Sequence, residues 1–250
     1  MANPFSLEGK TALITGGSRG IGFAIARAFI DAGARVIITA RGEEALSAAA
    51  VSLGPNALAR RCDNADPADI RATVADCWRL GPIDILVNNA GISPYYKRAE
   101  FVTVEEFDSV VTVNLRGSYF ASVEVATRLF EASLPGSVIN VSSVSGVVPL
   151  ERLGVYAATK AALQHLTKVM ALEWADRGVR VNAIAPGWTE TDFTDDLFSS
   201  RHGERLRSDI PMGRLAAPAD ITGAAIYLAS AASGYVTGTT LLVDGGRALR

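Results

Sequence analysis

The chain has 250 residues, 49% hydrophobic and 20% charged, with a formal net charge of −2; this is apolar material for a large core in one or two domains. The absence of a basic run argues against a nucleic-acid partner. Cys62 and Cys77 lack a paired spacing and read as free thiols, and neither a long apolar span nor a signal-like start at Met1–Phe5 is present, so a cytoplasmic protein with no membrane contact is expected.

In chain order, Thr11–Ile14 is a short apolar strand, followed by the Gly-rich stretch Thr15–Gly22 and an amphipathic helix to about Ala32. A second strand spans Arg35–Thr39 and a helix Glu43–Leu53. The third strand runs from Ala57 to Asp63, and Pro67 opens the next helix at a favoured first position. The fourth strand, Ile83–Val87, ends in Asn88-Asn89-Ala90-Gly91. Thr103 to Glu106 has capping-box form, and one helical pattern continues from it to about Ser133 with Asn114 in its middle. Val138–Ser143 is a fifth strand ending in hydroxyls, followed by a helix carrying Tyr156. Val179–Ile184 is a sixth strand, Pro218 opens a helix to about Ala231, and Thr240–Val243 is a seventh strand. Strands alternate with helices, which predicts an α/β fold: a single-domain, Rossmann-type, doubly wound parallel sheet over residues 1–250. A loop region at about 187–215 is expected to face the substrate.

The glycines Gly16, Gly20 and Gly22 lie between a strand and a helix. There a tight turn, a close backbone approach and a helix N-terminus suit a pyrophosphate. NAD-binding sites place a carboxylate at the end of the second strand. Here that place reads Thr39-Ala40-Arg41, and Arg41 with Arg19 and Ser18 can converge on a 2′-phosphate. NADP(H) is therefore expected in preference to NAD(H).

Tyr156 and Lys160 are four residues apart and share a helical face. Moving a phenol from its ordinary pKa to near neutrality takes roughly 4 kcal/mol. One ammonium ~4 Å away supplies about that at an effective dielectric of ~20. Alone the pair is only suggestive. Its setting adds weight, since Ser143, at the end of the preceding strand, can hold a carbonyl oxygen while Tyr156 protonates it. Ser142 is the other candidate for that task. His165 and His202 are isolated, and no metal constellation is visible.

Together these residues resemble the short-chain dehydrogenase/reductase family, from Gly9 to Gly246, through Thr15–Gly22, Asp63, Asn88–Gly91, Asn114, Ser143, Tyr156-x3-Lys160 and Pro186-Gly187. The resemblance implies hydride transfer between NAD(P)(H) and a carbonyl/alcohol pair. Tyr156 would be the acid/base and Ser143 the carbonyl orienter. Lys160 would lower the tyrosine pKa and bind the nicotinamide ribose, and Asn114 would distort its helix and hold a water leading from Lys160. Ile21 belongs to the glycine loop. Asp63 and Asn64 would meet the adenine, Asn89, Ala90 and Gly91 would lie under the cofactor, and Thr189 and Thr191 would close on it. Tyr95, Val147, Val148, Leu153, Trp188, Phe193, Leu197 and Phe198 are candidates for the substrate pocket. The expected substrate is a small ketone or secondary alcohol. A 3-oxoacyl-carrier-protein reductase is the alternative, weakened because Glu131 stands where a basic residue would meet the carrier and only Arg177 keeps a charge. A catalytically silent dinucleotide sensor is a remote third reading. The family suggests a homotetramer.

Overall fold

Successive strand residues point into two separate cores. Ala12, Ile14, Val36, Ile38, Ile85 and Val87 enter one apolar cluster, whereas Leu13, Ile37, Leu86, Val138 and Val181 enter the other. Period-two alternation with both faces buried is what a parallel sheet covered by helices on each side requires. The computed structural model, which describes residues 3–191 and 206–250, has this architecture. Its strands are β1 (Thr11–Thr15), β2 (Arg35–Ala40), β3 (Ala57–Arg61), β4 (Ile85–Asn88), β5 (Gly136–Val141), β6 (Val179–Pro186) and β7 (Thr240–Val243). They form one all-parallel sheet in the order β3-β2-β1-β4-β5-β6-β7. The order reverses between β1 and β4, the switch point at whose carboxyl end open sheets bind ligands.

Helices α1 (Gly20–Asp31) and α2 (Glu43–Leu53) bury Phe29 and Leu46 in the first core. The second core is covered by α3 (Pro67–Trp78), which contributes Val74. Thr103 and Glu106 complete the expected capping box at α4 (Val104–Val111): Glu106 N donates to Thr103 Oγ1 at 3.3 Å, and Thr103 N to Glu106 Oε2 at 2.9 Å. The helical pattern expected beyond that cap is interrupted around Asn114, where the family resemblance implies a distortion. Thr112–Gly117 forms a π-helical turn before α5 (Ser118–Glu131) resumes. Helix α6 (Gly154–Trp174) carries the Tyr–Lys pair and packs Met170 into the second core. Helix α7 (Pro218–Ala229) lies against α1. The chain forms a single domain, and no helix among the described residues is long and apolar enough to cross a membrane.

Candidate active site

The carboxyl ends of β1, β2, β4, β5 and β6 open into one cavity of about 1070 Å³. Two turns interlock on its floor. Gly16 has φ +65°, and a Cβ there would lie 3.0 Å from Ala90 Cα; at Gly22 a Cβ would collide with the Asn89 amide and the Gly16 carbonyl oxygen. Asn89 Nδ2 donates to Thr15 O at 3.0 Å and Gly16 O at 2.9 Å, and Thr15 Oγ1 accepts from the backbone of Asn89 and Ala90. Gly22 therefore supports Asn89 from behind and does not line the cavity itself. Thr15 is a member of this clasp that its motif position alone did not single out.

Ser18, Arg19, Gly20 and Ile21 line one end of the cavity, with Arg41 across from them. The N-cap residue of α1, Arg19, supplies no side-chain cap to the first amides, and a helix N-terminus suits an anion. Asp63 and Asn64 form the neighbouring wall, where the buried Asn64 Oδ1 finds no donor among the described residues. Pro186, Gly187, Thr189 and Thr191 line the cavity from beyond β6. Thr191 reaches the glycine loop, 3.3 Å from where a Gly20 Cβ would sit. These donors, the close backbone approach and the unmatched amide fit a dinucleotide.

At the centre, Ser143 follows β5 in an extended conformation, and its Oγ accepts from Ser145 N at 3.1 Å and lies 2.9 Å from Ser145 Oγ. A hydrogen bond with Ser143 favours Tyr156 ionisation, but burial outweighs it and pushes the phenol up to about 12. The tyrosine as a whole is half-buried and faces the cavity, where water offsets part of that cost. Lys160 is only 4% exposed; burial pushes it down to about 8. Its Nζ lies 5.6 Å from the Tyr156 ring centroid and donates to Val141 O at 2.8 Å. The expected near-neutral phenol is thus not produced by these protein groups. Desolvation by burial opposes the phenolate and outweighs what favours it.

Asn114 sits in the π turn, fully buried behind the cavity wall. Its Nδ2 donates to Ile92 O at 2.9 Å and its Oδ1 accepts from Ile92 N at 2.8 Å. A Gly91 Cβ would stand 3.4 Å from Asn114 Oδ1 and 3.5 Å from Lys160 Nζ, so the three are neighbours. Ser142 is committed elsewhere: its Oγ donates to Lys160 O and accepts from Gln164 Nε2, both at 2.9 Å. Gln164 also donates to Ser143 O at 3.0 Å. It was missed in the sequence, although its spacing of four from Lys160 placed it on the same face.

At the far end Tyr95, Leu153 and Trp188 line the cavity as expected. Val147 and Val148 do not. The 3₁₀ turn Val144–Gly146 leaves Val147 half exposed, and Leu150 and Arg152 take their place in the wall. Phe193, Leu197 and Phe198 lie outside the described residues.

A Rossmann-type sheet that brings Ser143, Tyr156 and Lys160 to one cavity, with Asn114 behind it, defines an NAD(P)-dependent oxidoreductase. The family model described as "Enoyl-(Acyl carrier protein) reductase" matches residues 16–248. The chain is 38% identical to the D-threitol dehydrogenase of Mycolicibacterium smegmatis over 98% of its own length and 95% of that protein. It is 38% identical to the NADP-dependent (R)-specific alcohol dehydrogenase of Lentilactobacillus kefiri, covering 96% and 97%. The crystal structure of a short-chain type dehydrogenase/reductase from Mycobacterium marinum matches with a TM-score of 0.93 at 37% identity, covering 98% and 97%. The chain belongs to the short-chain dehydrogenase/reductase family.

Proposed function

We propose that this protein is an NADP(H)-dependent oxidoreductase that interconverts a small ketone and its secondary alcohol, with Tyr156 as acid and base. The observation that carries the reading is the Ser143–Tyr156 hydrogen bond facing the cavity above a buried Lys160. Arg19, Arg41 and Ser18 would hold the 2′-phosphate, Gly16–Ile21 the pyrophosphate, Asp63 and Asn64 the adenine end, and Asn89–Gly91, Lys160 and Pro186–Thr191 the nicotinamide end. Bound there, the cofactor supplies or accepts a hydride at the substrate carbon. Ser143 donates to the substrate oxygen and fixes it beside the phenol. In reduction Tyr156 gives its proton to that oxygen; in oxidation it takes the hydroxyl proton. Lys160 stabilises the phenolate left after reduction. Asn114 holds the Ile92 backbone beside Lys160 and is a positioning residue here, with a water on the path from Lys160 as its proposed second role.

Preference for NADP(H) rests on two exposed arginines at the rim and no carboxylate at the end of β2, and the NADP-dependent relative agrees with it. The carrier-linked alternative draws support from the family description and from the 3-oxoacyl-[acyl-carrier-protein] reductase of Vibrio harveyi, to which the chain is 41% identical. The Arg177 guanidinium lies 3.4 Å from the Phe130 ring centroid, engaged within the protein, with Glu131 next to that ring. We further propose a homotetramer in the cytoplasm. Leu172 on α6, 84% exposed, and Leu241 and Leu242 on edge strand β7 are apolar surfaces for two kinds of contact.

Initial rates on a panel of ketones and secondary alcohols with each nicotinamide test the function. Tyr156→Phe should bind NADPH normally and lose about 10²-fold or more in turnover. Retention of more than about a tenth of the wild-type rate would defeat the assignment.

A further inference from the structure

We propose that Arg152 makes the substrate end of the cavity a receptor for carboxylates, so that the preferred substrates are oxo or hydroxy acids whose carboxylate is held by Arg152 while the reacting carbon sits at Tyr156. This rests on the oxidoreductase reading above and adds the substrate class to it.

Two cations flank this end of the cavity, and they differ in one respect. Lys97 is neutralised, its Nζ 2.6 Å from Glu106 Oε1. Arg152 lines the cavity and has no carboxylate partner among the described residues; the adjacent Glu151 does not pair with it. Its guanidinium is held over the Tyr96 ring, 5.7 Å from the centroid, and its carbonyl oxygen accepts from Lys97 N at 3.2 Å. Arg152, exposed at the cavity mouth, thus rests against the loop whose residues Ser93 to Tyr96 line the same end of the cavity.

The backbone adds a second line of argument. Arg152 adopts φ +65°, a region few non-glycine residues enter. A turn needing that conformation is built more easily with Gly or Asn, so the long cation is not there for the convenience of the turn. A third observation is a donor close by. Tyr95 Oη is buried, finds no partner among the described residues, and belongs to a side chain in the same wall. Burial and the nearby Glu106 push its pKa up, which keeps it a neutral donor across the working range. A planar guanidinium fork and a phenol donor together match a carboxylate, and Leu150 and Leu153 beside them provide an apolar wall for its carbon chain.

The test compares a straight-chain series of oxo acids of increasing length with their methyl esters, as kcat/KM with NADPH. The wild type should prefer the acid of at least one chain length over its ester. Arg152→Asn, which tolerates the positive φ, should lose about 10- to 100-fold on that acid through KM, with kcat little changed, and less than about 2-fold on the ester. Arg152→Lys should recover part of the loss. If esters are reduced as well as acids, or if Arg152→Asn affects both alike, the carboxylate site is wrong and the oxidoreductase reading stands. If wild type reduces neither series, nor any member of the ketone panel, with either nicotinamide, both readings fall.

Discussion

Replacing Lys160 by methionine tests the electrostatics of the site most directly. With Nζ 5.6 Å from the Tyr156 ring centroid, an ammonium favours the phenolate by about 3 kcal/mol at an effective dielectric of ~20. That is about 2 pKa units, similar in size to the push that takes the phenol to about 12. Lys160 itself stands at about 8, so the two groups titrate as a pair whose first proton leaves near that value. Alcohol oxidation needs a base at the phenol and should rise with pH to a plateau above about 8; ketone reduction should decline over the same range. In Lys160→Met the proton must come from the phenol alone. The oxidation limb of kcat/KM should then move upward by at least about 2 units. A limb that stays in place while only the cofactor KM rises would refute the reasoning. Denaturant midpoints give an independent reading. The folded Lys160 value, about 8, lies below the ordinary 10.5, so the folded state holds fewer protons between them and stability rises with pH across that window. Tyr156 acts in the opposite sense but higher, losing stability only as pH climbs from 10 towards about 12. Wild type should therefore be more stable at about pH 9.5 than at about pH 7, and the difference should shrink in Lys160→Met.

Two further substitutions separate roles that neighbouring residues could share. Arg41→Ala should cost about 10- to 100-fold in NADPH affinity, measured by fluorescence titration, and leave NADH nearly unchanged, because a hydrogen bond to a charged group is worth roughly 1.5–3 kcal/mol. Equal losses for both cofactors would remove the 2′-phosphate site from Arg41. Ser143→Ala should lower turnover with little change in melting temperature. Ser142→Ala, which strips donors and acceptors from Lys160 O and Gln164, should lower the melting temperature by several degrees, about 1–3 kcal/mol for a buried group left unsatisfied. The reverse pattern would exchange the two serines.

What could be read from the chain follows from how far each signal extends. Strand periodicity, the Pro67 and Thr103 helix starts and the Gly16–Gly22 spacing are each contained in one element and its flanking turn, and each reappears within a residue or two of its expected place. The break in the long helix is different. Nothing local in Thr112–Gly117 announces a π turn. Asn114 uses both ends of its amide on the Ile92 backbone, so the partner that holds the turn's central side chain lies 22 residues away. The same reason hides the polar layer under the site: Asn88 and Asn140 face each other across β4 and β5 and bond at 2.8 Å, and Asn140 continues to Thr167 on α6. In the sequence Asn88 stands out only as the start of the Asn88–Gly91 motif, and Asn140 and Thr167 are unremarkable polar residues in apolar runs.

The Tyr156–Lys160 pair marks the boundary between the two cases. Helical spacing correctly put both side chains on one face of α6, which is a property of that helix alone. Where the ammonium points is decided by a second element, since the carbonyl of Val141 at the end of β5 takes its proton donor. The degree of burial is decided by a third, the Asn89–Gly91 turn that passes against Nζ. Both pKa shifts come from burial, and both run opposite to what the pair would do by itself. Helix periodicity thus identifies which residues can do the chemistry. The proton affinities that govern it arise from packing between strands and turns far apart in the chain, which is why Lys160→Met, read through pH, tests the fold as much as the residue.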